Sequence, residues 1–232
     1  MKQNRKYDVR RVAALMLMIT LVLSAAFCIF RLISTPEVQE GALIMRTRSD
    51  YVLMLIQCLL GLAVMALPSI ASRRWKLELP TFIHVMYYLF LYCAIFLGEV
   101  FSFYYLIPHW DTILHSFSGA MLAALGFILV DFLNRDEHVH VSLSPAFVAL
   151  FAFCFALAAG GGWEIYEYVA DGALGLNMQK FIDAEGVILA GRHALQDTMD
   201  DIIVDAVSAA VMSVLGYTSL IRRRTGADGQ TE

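Results

Sequence analysis

The sequence predicts an all-α polytopic membrane protein, a bundle of six transmembrane helices with the N- and C-termini cytoplasmic. Three observations carry that prediction. Hydrophobic residues make up 59% of the 232 positions, charged residues 16%, and the mean hydropathy is +0.65. A soluble domain holds about 45–50% apolar and about 25% charged residues. Six runs reach the roughly 20 apolar residues that span a bilayer. Lysine and arginine alternate between the connecting segments. The small net charge of −4 gives no basic footprint for nucleic acid, and the apolar content excludes a disordered chain.

The six runs cover residues 12–33, 51–71, 81–103, 111–133, 145–168 and 197–221. They lack the period-two alternation of a membrane barrel strand, and backbone groups in lipid must be paired internally, so each run is read as a helix. The first follows Lys2, Arg5, Lys6, Arg10 and Arg11. It is longer than a signal-peptide core and no small-x-small site with a polar mature chain follows, so it is read as an uncleaved helix. With residues 1–221 as a single six-helix membrane domain and 222–232 as a short polar cytoplasmic tail, 12 basic residues fall on the cytoplasmic side. Only five (Arg31, Arg46, Arg48, Lys180 and Arg192) fall on the other, as the positive-inside rule requires. Arg135, His138 and His140 sit in a cytoplasmic loop, and His84 reads as a packed histidine. The cysteines Cys28, Cys58, Cys93 and Cys154 all fall inside spans, where packing is their expected role.

On this topology nine of the 21 acids gather at the outer ends of the last four spans: Glu99, then Asp111, then Glu164, Glu167 and Asp171, then Asp197, Asp200, Asp201 and Asp205. Between Asp205 and Arg222 lie 16 residues, about 24 Å of helix. Asp205 therefore lies within the membrane zone, Asp201 near its edge, and His115 about one turn inside the fourth span. An acid at mid-bilayer costs about 2.5–3.5 kcal/mol on the lenient insertion scale, so these groups must protonate, pair with a cation or line a wet cavity.

Spacing assigns the acids to faces. Asp111 and His115 are i, i+4; Asp197, Asp201 and Asp205 are i, i+4, i+8; Glu164, Glu167 and Asp171 are i, i+3, i+7, so each set forms one stripe. Converging stripes would make a metal centre from Asp111, His115, Glu164, Glu167, Asp197, Asp201 and Asp205, with Glu99, Asp171 and Asp200 in secondary positions. An oxygen-rich set with one imidazole suits Mg²⁺ or Mn²⁺, with Zn²⁺ or Ca²⁺ as alternatives. The competing account is a proton-holding or helix-capping network, with Asp111 and Asp197 as N-caps. Capping leaves His115, Asp201 and Asp205 unexplained. Arg192 is the nearest basic residue in sequence, followed by Lys180 and Arg31.

Spans three–four and five–six share an outline, Gly98-Glu99 against Gly162-Trp163-Glu164 and Asp111-Thr112 against Asp197-Thr198, which raises a duplicated hairpin. Gly160, Gly161 and Gly162 permit close helix approach or a local break; Gly119 and Gly126 read as packing glycines. The long segment 169–196 emerges over the acids, either as a lid or as a plain connector.

At Trp110-Asp111-x-x-x-His115-Ser-Phe-Ser-Gly119, Gly162-Trp163-Glu164-x-x-Glu167-x-x-x-Asp171 and Asp197-Thr198-x-x-Asp201-x-x-x-Asp205, the chain resembles the YjdF-like family of bacterial multi-pass membrane proteins. The resemblance covers about residues 82–217 and implies an inner-membrane helical protein with no assigned reaction. A fainter likeness to VanZ-like proteins departs at Glu167, where the pattern has Gln.

Three functions fit. The first is a metal-dependent enzyme acting on a membrane lipid or lipid-phosphate substrate at the outer leaflet, with one or two ions and His115 or Glu164 as general base. The second is a cation or proton transporter, which the apolar inner halves of the spans disfavour. The third is a non-catalytic assembly or structural factor.

Overall fold

The computed structural model describes residues 8–34, 46, 48–76, 79–134, 143–183 and 186–228. Lys2, Arg5, Lys6, Arg135, His138 and His140 lie outside the described residues. Helices dominate, and six are long and apolar enough to cross a membrane, which makes the chain an all-α polytopic membrane protein. The helices fall into two compact units, Met1–Trp110 and Asp111–Glu232.

The first unit contains α1 (Val9–Ser34), α2 (Arg48–Val64), α3 (Leu67–Trp75), α4 (Thr81–Leu91) and the single turn α5 (Phe103–Leu106). α1 is apolar all round, as a lipid-embedded helix is. Leu17, Leu21, Ser24, Ala25 and Cys28 form its buried stripe, while Leu15, Met16, Ile19, Leu23 and Phe30 stay exposed. The Thr20 hydroxyl donates to the Met16 and Leu17 carbonyls, which satisfies it without water. The core of the unit joins Leu17, Leu21 and Ala25 to Cys58, Tyr88, Leu91 and Ile95, and Cys28 packs with Tyr51 and Met54, so both cysteines serve packing. The expected second span is split at 65–66 because Pro68, in the first turn of α3, has no N–H to continue the ladder.

The third span departs from expectation in kind. Beyond Leu91 the helix widens into nine residues of π-helix, Tyr92–Val100, with the Phe101 amide donating to the Phe96 carbonyl at 3.0 Å. It stops at Val100 rather than residue 103, because Ser102 takes a left-handed backbone, φ 61°. Arg46 ties this end down by donating to the Val100 carbonyl at 2.6 Å and to the Ser102 hydroxyl. Gly98 lies under the Tyr104 ring, where a Cβ would collide.

The second unit is built from α6 (Trp110–Asn134), α7 (Pro145–Leu174) and α8 (Gln196–Asp228). One fully buried alanine from each helix (Ala123, Ala156 and Ala209) forms its centre. Small residues bring the backbones together: a Cβ at Gly126 would stand 2.8 Å from the Ala152 Cα. α7 begins with Ser144 accepting from the Phe147 amide at 3.2 Å and Pro145 in the first turn. It runs six residues past the expected end at 168, because Ala170 and Asp171 are buried. It stops where Gly175 takes the left-handed conformation, φ 65°, a glycine C-cap.

Candidate functional site

The site lies in the second unit, at the end where α7 hands over to α8 through residues 175–192. α7 and α8 run antiparallel, and their register is set by Gly160, whose missing side chain leaves room for the Asp205 carboxylate. On the other side, a Cβ at Gly119 would stand 2.9 Å from the Asp205 carbonyl oxygen. Two glycines therefore admit a carboxylate only 2% exposed. One turn toward the loop from this level, Glu164 on α7 is level with Asp201 on α8.

His115 organises the acids. Its Nδ1 stands 3.3 Å from Asp205 Oδ2. A carboxylate only accepts, so Nδ1 donates, and Nε2 faces Asp111 Oδ1 and Asp201 Oδ2, each at 3.7 Å. One ligand atom from each of Asp111, His115 and Asp201 lies within 4.8 Å of the others. A cation at about 2.0–2.2 Å from each would need only a small contraction. A carboxylate holding the far nitrogen of a ligand histidine is the usual support of such a centre, and Asp205, backed by the Ser118 hydroxyl at 3.5 Å, fills that part.

Glu164 is the outstanding polar group of the site. It is 4% exposed, and neither carboxylate oxygen has a hydrogen-bond partner; the Thr198 hydroxyl faces it without reaching bonding geometry. It lies within electrostatic reach of His115, Asp197 and Asp111. Glu167, also buried, accepts from the Trp163 indole at 2.9 Å.

Lys180 supplies the positive charge. Its ammonium pairs with Asp111 Oδ2 and lies 3.2 Å from Asp197 Oδ1. Burial alone would lower its pKa, but the Asp111 and Asp197 carboxylates outweigh that and hold it above the ordinary lysine value. Arg192, nearer in sequence, is exposed. The segment delivering Lys180 is ordered by Asp171, whose two oxygens accept from the Met178 and Gln179 amides at 2.8 and 3.0 Å. Asn177 clasps Ile182 through its amide and carbonyl at 2.9 and 2.8 Å, Gln179 donates to Thr198 at 2.8 Å, and Ile182 pairs with Ile188 in a short bridge.

Of the expected site residues, Asp111, His115, Asp201 and Asp205 meet directly, while Asp197 joins through Lys180 and Glu164 faces the group. Asp171 holds the loop backbone instead, and Asp200 is exposed. Glu99 belongs to the first unit, in π-helix, whereas Glu164 sits in regular α-helix. Of the three consecutive glycines in α7 only Gly160 meets a neighbour; Gly161 and Gly162 have none within 4 Å. The spacing alone left out three features: Lys180 as principal cation, the Trp163–Glu167 bond, and the loop-holding part of Asp171.

No curated protein and no solved structure matches the chain. A family model described as predicted membrane protein (DUF2238) matches residues 14–222, a stretch that reaches into all six apolar helices and takes in every residue of this site. The chain belongs to the DUF2238 family of predicted membrane proteins.

Proposed function

We propose that the protein is a divalent-cation-dependent enzyme of the bacterial inner membrane. Its termini are cytoplasmic, and its site acts on a membrane lipid or lipid-phosphate at the outer leaflet. The observation that carries this reading is His115, anchored at Nδ1 by Asp205 and presenting Nε2 between Asp111 and Asp201. Carboxylate oxygens with one imidazole favour Mg²⁺ or Mn²⁺. Such an ion supplies Lewis acidity and lowers the pKa of bound water. Asp111, His115 and Asp201 would hold it, Asp205 would fix the imidazole ring, and the buried Glu164 carboxylate would accept the proton of an attacking water or hydroxyl. Lys180 offers a positive charge to an anionic substrate oxygen beside the metal.

The test is metal analysis of detergent-purified protein. About one Mn²⁺ per chain is expected in the wild type, with loss in Asp201→Asn and His115→Ala variants that remain monodisperse. Absence of stoichiometric metal at millimolar Mn²⁺ overturns the reading. Incubating the loaded protein with labelled outer-leaflet lipids in proteoliposomes then tests catalysis. Cation flux without lipid turnover would mean transport.

A further inference from the structure

We propose that the Lys180 ammonium occupies the second cation position of a two-cation centre, and that a second divalent ion binds there, bridged to the first by Asp111, when the lysine is withdrawn. The inference rests on the metal reading of the site and extends it.

Asp111 has its two oxygens on two different positive partners. Oδ1 faces the imidazole and the first metal position, and Oδ2 takes the Lys180 ammonium. This is how a bridging carboxylate serves two adjacent cations. The far side of the lysine position is closed by Asp197 Oδ1 at 3.2 Å. The second, independent observation is Glu164. It is buried, neither oxygen has a partner at full bonding geometry although the Thr198 hydroxyl faces it, and it lies within electrostatic reach of Asp197 and Asp111 together. A buried carboxylate short of donors is costly; a cation between Asp111, Asp197 and Glu164 would satisfy it.

Charge balance points the same way. Asp111, Asp197, Asp201, Asp205, Glu164 and Glu167 gather against Lys180 and His115. One divalent ion beside His115 leaves the group short of positive charge, and exchanging a monovalent ammonium for a second divalent ion reduces the shortfall. The fold also holds the lysine in place deliberately. Lys180 sits in the left-handed backbone region at φ 47°, unusual for a residue with a Cβ. Asp171 fixes the two preceding amides. The loop is thus a plug whose withdrawal exposes three carboxylates. Ammonium beside metal, or metal beside metal, is an arrangement that grips the oxygens of a phosphate ester, which deepens the substrate class to phosphate-bearing lipids.

The experiment counts Mn²⁺ in purified protein and records its electron paramagnetic resonance. The wild type is expected to hold one ion per chain with an uncoupled spectrum. Lys180→Met, which removes the charge and keeps the chain length, is expected to hold two, with the exchange-coupled spectrum of ions sharing a carboxylate. Adding Asp197→Asn to that variant should return it to one. Should Lys180→Met not fold, Lys180→Gln is measured in its place. One ion in the folded lysine variant, two in the wild type at the same Mn²⁺ concentration, or a second ion with an uncoupled spectrum each overturn the inference while leaving the single-metal reading standing. No ion in the wild type removes both.

Discussion

Gly160 faces Asp205 so closely that the α7 backbone and the α8 carboxylate share the space a single Cβ would fill. With Gly119 on the opposite side, this contact fixes how far Asp205 reaches toward His115, and hence where Nε2 points. Gly160→Ala is therefore expected to act twice. Overpacking costs about 1–3 kcal/mol, and displacement of Asp205 loosens the imidazole. Gly161→Ala, with nothing near its new methyl, should be neutral or stabilising by about 1 kcal/mol through helix propensity. Thermal melts in detergent, with and without Mn²⁺, compare the two. Equal melting temperatures would remove the assigned role of Gly160.

Asp205 and Asp201 lie one helical turn apart yet do different work. Asp201 Oδ2 faces Nε2, where a metal would sit, while Asp205 supports the ring from behind. Asp205→Asn keeps an acceptor for Nδ1–H and is expected to weaken Mn²⁺ binding about 10–100-fold, the usual cost of a supporting group. Asp201→Asn should abolish stoichiometric binding. Titrations of the two variants showing equal losses, or the reverse order, would contradict the ring-support assignment.

The contrast between these residues shows what the chain discloses on inspection. Apolar length is a one-dimensional property, so all six spans were legible, and i, i+4 spacing was enough to put His115 with Asp111 and Asp205 with Asp201. Hydrogen bonding that shifts by one residue leaves no mark in composition, so the π-helix Tyr92–Val100 was not legible. The C-terminal end of α7 was missed because four glycines follow Tyr168 before residue 192, and only backbone geometry singles out Gly175 as the cap. Lys180 was ranked behind Arg192 because its approach to Asp111 spans 69 positions and depends on the path of the loop. Asp171 continued the Glu164/Glu167 stripe by count, yet both its oxygens were taken by amides that no spacing rule brings near.

That use of Asp171 is itself testable. Asp171→Ala leaves the Met178 and Gln179 amides without their acceptors in a buried setting, at about 1–3 kcal/mol each. Deuterium exchange across residues 176–183 should accelerate by at least tenfold, with α8 below Asp205 unchanged. Asp171→Asn, retaining one good acceptor, should fall between. Exchange no faster than wild type in the alanine variant would show that other contacts order the loop.

Arg46 gives a parallel case in the first unit. Its terminal Nη2 donates both to a carbonyl and to a hydroxyl at the end of the π-helix. Arg46→Lys keeps the charge and has donors enough for both acceptors, but its shorter side chain stops short of the position of Nη2. With hydrogen bonds to charged groups worth about 1.5–3 kcal/mol each, Arg46→Ala should lower the melting temperature measurably, and Arg46→Lys should recover less than half the loss. Full recovery by lysine would mean that charge rather than the reach of the arginine is what the site uses.

Lys180 sets the alkaline behaviour of the loop. Burial opposes its charge, but Asp111 and Asp197 prevail and raise its pKa in the folded chain above the ordinary value near 10.5. The sign follows from linkage. A group whose folded pKa exceeds its unfolded one contributes its full stabilisation below the unfolded value, and loses it as pH climbs through the folded value. The stability difference between wild type and Lys180→Met should then stay flat as far as Lys180 is concerned from pH 6 to 9, and shrink only above about pH 10.5. Melts of both proteins in metal-free buffer at matched ionic strength give that difference directly, with chelator present so that no cation takes the place of the lysine. A gap that closes between pH 6 and 9 would mean that the ammonium is not the group holding Asp111 and Asp197 together.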